Sequence, residues 1–179
     1  MTLYQLETKI FHTTFGRNEP ALHVQSGDTI IADTRDARGN DRHDNPLPDS
    51  MRPSADGFEY STSNPLVGPV FVDGAEPGDT LAIRIEALEP ARGYGVSVAF
   101  PGFGALKGTD KTAMLGPDLP ETVWFYDVDR AKKVARARSQ DGKFSWEVPL
   151  APFLGCLGVS PAYGEARSTI VPDAFGGNM

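Results

Sequence analysis

The sequence has 179 residues, enough for one ordinary domain that buries roughly 70% of the surface of its unfolded chain. Hydrophobic residues make up 40% and charged residues 23%, a balance that excludes a disordered chain. The net charge of −7 argues against sequence-independent nucleic-acid binding, which requires a concentrated basic surface.

Alternating apolar and polar residues predict strands along most of the chain, whereas helical periodicity is rare. In chain order the predicted strands are YQLETKIF, TIIADTR, GPVFVDG, TLAIRIEAL, VSVAF, TVWFYDV and KFSWEVPL. We expect strands at 79–88 and 143–150 in particular. Their alternating apolar side chains are predicted to be core residues: Leu81, Ile83, Ile85, Phe144, Trp146 and Val148. Short strands at turn-punctuated spacing predict a mainly β fold over 1–179, a single β-sandwich or jelly-roll domain with long polar loops and little helix; a barrel is the second choice.

Two similar turns each lead into a predicted strand, SGDT at 26–29 and PGDT at 77–80. Glycine tolerates the positive φ that such a turn needs, and aspartate can close the turn by accepting a nearby backbone N–H. A catalytic role for Asp28 or Asp79 is the alternative, but turn chemistry explains both residues.

Residues 41–60 are polar and interrupted by prolines, which predicts a long surface loop, and 101–120 form a second irregular region. The first loop carries His43 and Asp44, which together could bind a divalent ion or orient a water molecule. The alternative is that both residues are simply solvated. His12 and His23 lie in predicted strands and are expected to be structural.

The single cysteine, Cys156, excludes an intrachain disulfide and a cysteine-rich metal site, and its apolar neighbours predict a buried thiol and not a nucleophile. No apolar stretch predicts a signal peptide or a membrane span, so we expect a cytoplasmic protein. The basic cluster at 130–138 is interleaved with apolar residues and flanked by aspartates, which predicts a solvated strand face; a phosphate site is the alternative. Around Ser97, Ala stands where a nucleophile elbow needs its second glycine.

Four segments in order resemble the acetamidase/formamidase family. They are SGDTIIADTRDARG at 26–39, SNPLVGPVFVDGAEPGDTLAIRI at 63–85, PFLGCLGVSPA at 152–162 and GGNM at 176–179. The second segment is the most specific, because it combines an NP-x-x-GP turn, a short strand, GAEPGDTL and an alternating strand. Several such landmarks in order are hard to obtain by chance.

The resemblance implies a β-sandwich N-terminal region of an enzyme that hydrolyses small linear amides, such as formamide or acetamide, to a carboxylic acid and ammonia. It also implies a divalent metal ion, zinc or calcium. Family members continue past GGNM with an acidic residue and a second half that contains Gly/Asp/His and Gly/Asp/Gly/Glu motifs. We therefore expect most metal ligands outside this chain, GGNM to be a severed connection, and a complementary C-terminal segment or chain to be a partner.

Two asparagines, Asn64 and Asn178, match family motif positions and are the predicted substrate-binding residues, because a side-chain amide can donate a hydrogen bond to a substrate carbonyl. His43 and Asp44 are the predicted catalytic residues. We also expect a homo-oligomer with no nucleic-acid or membrane partner. The competing interpretation is a non-enzymatic β-sandwich binding module derived from the same fold; a cupin-like hydrolase would be expected to show a clustered histidine motif, which is not found here.

Overall fold

The computed structural model describes residues 1–52, 63–99 and 120–178. Within these ranges the chain forms twelve strands and two three-residue 3₁₀ helices, so the prediction of a mainly β fold is confirmed. The second irregular region lies outside the described residues except for Pro120, and so do residues 53–60 of the first loop. No helix in the described ranges is long and apolar enough to cross a membrane.

The strands are β1 (Leu3–Leu6), β2 (Thr14–Phe15), β3 (Leu22–Val24), β4 (Thr29–Ala32), β5 (Val70–Val72), β6 (Tyr94–Ala99), β7 (Thr122–Asp129), β8 (Val134–Arg138), β9 (Ser145–Pro149), β10 (Cys156–Gly158), β11 (Arg167–Ser168) and β12 (Gly176–Asn178). The 3₁₀ helices are Asp49–Met51 and Ala162–Gly164. The chain divides into two units, 1–86 with 153–179, and 87–152. The single domain over 1–179 stays a prediction.

The first unit is built from four strand pairs that join distant parts of the sequence. Strands β1 and β4, and β3 and β5, are parallel, whereas β2 and β11, and β10 and β12, are antiparallel. Its buried apolar side chains are Leu6, Phe11, Phe15, Val24 and Leu47. The rings of Phe15 and Phe175 pack with centroids 5.2 Å apart, which places an aromatic contact beside β2.

The two predicted turns before β4 and at 76–79 have the same hydrogen bonds. The Asp28 carboxylate accepts the N–H of Gln25 at 3.0 Å, and the Asp28 N–H donates to the Gln25 carbonyl at 3.1 Å. Asp79 makes the same two bonds with Glu76, at 2.9 and 3.0 Å. The glycine before each aspartate has a φ of +90° or +103°. Both aspartates are therefore turn residues, as predicted.

The second unit contains an antiparallel sheet in the order β6-β7-β8-β9. On β8, Ala135 and Ala137 are buried, while the Arg136 guanidinium between them binds Glu147 across the sheet at 2.6 Å and lies 3.5 Å from Asp129. Ala135 and Ala137 thus face inward, whereas Arg138 is exposed and Arg136 is half-buried. The predicted solvated strand face holds for β8, while Arg130, Lys132 and Lys133 lie in the exposed turn before it.

The predicted strand at 79–88 is wrong, because the structure assigns no strand to these residues. Leu81, Ile83 and Ile85 are 49%, 54% and 49% exposed, so they are not core residues. The strand at 143–150 is confirmed as β9, but Phe144 and Val148 are also exposed and Trp146 is only half-buried. A period of two predicts that alternate side chains share a face, but burial requires a second layer on that face.

Candidate functional site

Two consecutive five-residue turns carry the predicted catalytic residues. Residues 36–40 and 41–45, DARGN and DRHDN, each begin with aspartate and end with asparagine. In both, the aspartate N–H donates to the asparagine carbonyl, at 3.0 and 2.9 Å, and the aspartate carboxylate accepts the asparagine N–H at 2.9 Å. The fourth position has a positive φ, +87° at Gly39 and +64° at Asp44. Asp44 therefore lies in a conformation that glycine prefers and that aspartate tolerates.

His43 and Asp44 are both exposed on the second of these turns. The His43 N–H donates to the Asp41 carboxylate at 2.8 Å, which orients the backbone and leaves the imidazole at the surface. Arg35 supports the turns, since its guanidinium donates to the Gly39 carbonyl at 2.8 Å and lies over the Phe11 ring. The catalytic roles of His43 and Asp44 stay predictions.

Hydrogen bonds hold the pKa of the Asp41 carboxyl well below its usual range, at about 2. The main cause is the side-chain amide of Asn45, followed by the backbone N–H groups of Asn45 and His43. These donors favour the ionised carboxylate. The Asp41 carboxylate thus accepts hydrogen bonds from its own turn, which gives it a structural role.

The low pKa of Asp41 predicts how the stability of the folded chain changes in acid. Because the folded pKa of Asp41 lies below the unfolded value of 3.8, its contribution to stability is present above about pH 4 and is lost as the pH falls through about 2. In urea titrations between pH 5 and 2, we expect Asp41→Asn to show a shallower loss of stability than the wild type. Asp49→Asn is the control, since the Asp49 carboxylate accepts no backbone N–H among the described residues. Equal slopes for Asp41→Asn and the wild type would contradict the assignment.

Asn64 lies next to these turns. Its φ is +56°, a left-handed conformation that asparagine adopts more readily than most residues, and its N–H donates to the Ala37 carbonyl at 2.8 Å. Asn64 thus has a structural role in this turn, in addition to its predicted role in substrate binding. The hydrogen bond also ties the segment that follows residue 62 to the first of the tandem turns.

Thr169 connects this region to the C-terminal strand. Its hydroxyl, fully buried, donates to the Ser63 carbonyl at 3.3 Å, and its N–H donates to the Thr13 carbonyl at 3.0 Å. The Cys156 thiol donates to the Thr169 carbonyl at 3.6 Å, and Cys156 pairs with Asn178 in the β10–β12 ladder. A continuous series of contacts therefore runs from the turn of Asn64 to the backbone of Asn178.

The Cys156 thiol is partly buried, and this burial raises its pKa. The thiol is therefore protonated near neutral pH, and its hydrogen bond to a backbone carbonyl gives it a structural role. This agrees with the prediction that Cys156 is not a nucleophile.

The GGNM segment pairs with the PFLGCLGV segment, because its Gly176, Gly177 and Asn178 form β12 opposite Gly158, Leu157 and Cys156 of β10. The fold requires the glycines. Gly177 has a φ of +132°, and a Cβ there would lie 2.7 Å from the Cα of Pro172. A Cβ on Gly158 would lie 2.7 Å from the carbonyl oxygen of Phe175 and 2.8 Å from the Phe15 ring.

Comparison with known proteins places these segments in one family. A sequence model of the acetamidase/formamidase family matches residues 8–166, which is most of the chain. The chain belongs to the acetamidase/formamidase family. No curated protein matches it. The resemblance stated from the four segments is thereby confirmed.

Two solved structures of acetamidase/formamidase proteins are similar to this chain. One, the acetamidase from Yersinia enterocolitica, is 30% identical with a TM-score of 0.66, and the match covers 100% of this chain and 52% of that one. The other, a predicted acetamidase/formamidase from the thermophile Thermoanaerobacter tengcongensis, is 25% identical with a TM-score of 0.62, and the match covers 99% and 52%. This chain spans about half the length of both.

The described residues do not by themselves fit the metal ion that the family resemblance implies. Across 1–52, 63–99 and 120–178, no group of three or more His, Cys, Asp and Glu side chains is placed to hold one. The Asp41 carboxylate is already engaged by its own turn.

A groove of about 590 Å³ lies elsewhere, on the four-stranded sheet of the second unit. It is lined by residues of β7 to β9 and the turn between β8 and β9, among them Arg136, whose guanidinium is already paired with Glu147. None of its lining residues is a predicted site residue, and we assign the groove no function.

Sequence reasoning missed two features of this region. The tandem turns are visible in the sequence as DARGN followed by DRHDN, and the repeated Asp-to-Asn spacing could have revealed them. Thr169 could not have been found in this way, because it contacts residues that are distant in sequence, such as Ser63 at a separation of 106. Nothing in the local sequence STIVPD distinguishes this threonine from an exposed one.

Proposed function

We propose that this chain supplies the N-terminal part of an amidase that hydrolyses small linear amides, of the formamide and acetamide type, to carboxylic acid and ammonia. The observation that carries the proposal is the match of the entire chain to part of the Yersinia enterocolitica acetamidase at 30% identity. The contacts that join Asn64 to β12 support it, since they bring family landmarks into one region of the first unit.

We propose further that a complementary C-terminal segment or chain completes the enzyme. Both solved relatives are about twice as long as the part that this chain matches. A homo-oligomer and a cytoplasmic location remain expectations that accompany this proposal. A non-enzymatic β-sandwich module is the alternative, and the assays below separate it from an amidase.

Hydrolysis of an unactivated amide needs an activated water molecule and stabilisation of the developing oxyanion. A divalent ion, zinc or calcium, would supply Lewis-acid chemistry of this kind. The described residues provide no complete ligand set, so we propose that most ligands come from the complementary part. In this chain, the side-chain amides of Asn64 and Asn178 would bind the substrate carbonyl. His43 and Asp44 are the weaker candidates for orienting the water.

The amide of Asn178 gives the first test of this function. In the natively purified enzyme, we expect Asn178→Ala to reduce turnover of formamide or acetamide at least tenfold, about 1.4 kcal/mol, because it removes a donor to the oxyanion. Ammonia release and carboxylate formation should fall together. Asn178→Asp keeps the shape of the side chain and removes the donor, so it should show a similar loss.

Asn64→Gly provides a matched test of the second amide. Glycine accepts the left-handed φ of this position, so the substitution removes the carboxamide while the turn is preserved. Thermal unfolding should be close to that of the wild type, while turnover falls. Wild-type turnover in correctly folded Asn64→Gly and Asn178→Ala enzymes would refute the substrate-binding roles, and no ammonia release by the unmodified native enzyme would favour the non-enzymatic module.

A further inference from the structure

The 80–86 segment, TLAIRIE, combines exposed apolar side chains with a backbone that pairs with no other described residue. Leu81, Ile83 and Ile85 occupy alternate positions and are each about half exposed, at 49%, 54% and 49%. No strand pairing and no backbone–backbone hydrogen bond joins residues 80–86 to any other described residue. In a sequence with this strand pattern, free N–H and C=O groups form a template on which another strand can pair.

This segment is anchored and is not a loose end of the fold. It follows directly after the turn that Asp79 closes with Glu76, and this turn comes after β5 in the chain. It also lies inside the part of the chain that the family model matches, at 8–166. The segment is therefore part of the region that this chain shares with the family, and an exposed apolar strip of this kind is typical of a surface that another element covers.

The length of the solved relatives points to a candidate occupant for this segment. Nearly half of each relative's chain lies beyond the part that this chain matches, so a comparable length of polypeptide belongs with this fold. We propose that the 80–86 segment is the docking edge for this complementary half, which adds a β-strand to it and covers Leu81, Ile83 and Ile85. Main-chain hydrogen bonds would provide the affinity and the alternate side chains the register. The inference rests on the proposed function only in taking the complementary half to exist.

Hydrogen exchange of the natively purified protein tests this edge. Peptide sequencing first identifies the complementary half, either as a continuation of the chain or as a second polypeptide. In that assembly, alternate amides of residues 80–86, those whose N–H groups face the added strand, should exchange about a hundredfold or more slowly than unprotected amides. Ile83→Asp places a charge in the proposed contact and should abolish this protection, while the exchange of β7 and β8 is unchanged.

Phe125→Asp is the matched control, because Phe125 is also an exposed apolar residue, at 65%, but lies on β7 in the second unit. It should leave the protection of residues 80–86 intact. Loss of protection in both variants would indicate general destabilisation and would overturn the assignment of the edge.

The remaining outcomes separate this inference from the proposed function. Free exchange at 80–86 in an active, complete assembly would overturn the docking edge and leave the amidase proposal standing. Protection at 80–86 by the complementary half, without ammonia release from either amide, would support the edge and refute the amidase. Protection in a preparation that contains only this chain, as a monomer or with a second copy, would overturn the proposed occupant.

Discussion

Truncating Phe15 to alanine should destabilise the chain by about 3 to 5 kcal/mol, as expected for a buried phenylalanine. Phe15 is 6% exposed, its ring packs on Phe175 at 5.2 Å, and it fills the space that the missing Cβ of Gly158 leaves open. The substitution therefore removes the ring that packs between β2 and the β10–β12 pair. Urea titration of the wild type and the variant measures the difference in the free energy of unfolding.

Phe125→Ala is the control for this prediction, because the same chemical change at a side chain 65% exposed should cost less than about 1 kcal/mol. A comparable loss in both variants would show that solvent exposure does not distinguish the two phenylalanines. A loss below about 1 kcal/mol for Phe15→Ala would contradict the position of the core.

Gly177→Ala should lower the free energy of unfolding by about 2 to 4 kcal/mol, because two causes of destabilisation add. A non-glycine residue at a φ of +132° is strained, and its Cβ would lie 2.7 Å from the Cα of Pro172, a backbone atom that cannot easily move. The β10–β12 pair should separate first, which would be seen as faster hydrogen exchange at Cys156 and Gly158.

Gly78→Ala separates the two causes. Gly78 also has a positive φ, +103°, but nothing lies within 4 Å of a Cβ built there. Its substitution should therefore cost only the backbone strain, about 1 to 2 kcal/mol. Equal losses for Gly78→Ala and Gly177→Ala would contradict the close approach of β12 to Pro172.

Features that depend on neighbouring residues could be predicted from the sequence. The turns of Asp28 and Asp79 follow from glycine and aspartate chemistry within four residues, and β7, β8 and β9 follow from local alternation and the Asp141-Gly142 turn. The tandem turns were equally local and could have been predicted from their repeated spacing.

Features that depend on what packs against a segment could not be predicted. The pattern of Leu81, Ile83 and Ile85 is that of a strand, but no described residue pairs with it, and these side chains are exposed. The same limit applies to Thr169, whose contacts with Thr13 and Ser63 bring together three distant segments. Sequence alternation reports which side chains share a face, and only the fold reports what lies on that face.

The predicted site residues show a similar division. The family motifs point to Asn64 and Asn178 as substrate-binding residues, and the structure connects their backbones through Ser63, Thr169 and Cys156. The prediction of His43 and Asp44 as catalytic residues rests on loop composition, and the structure gives their backbone a turn role that needs no catalytic function. The amides are therefore the stronger candidates.

Ammonia release from formamide and acetamide, measured with the 179-residue chain alone and with its complementary half added, tests the central claim most directly. We expect background release by the chain alone, with or without zinc or calcium, because its described residues hold no metal-binding cluster. Release should rise only when the complementary half is supplied. Metal-dependent turnover by the purified chain alone, abolished by His43→Ala and by Asp44→Gly, would contradict this account.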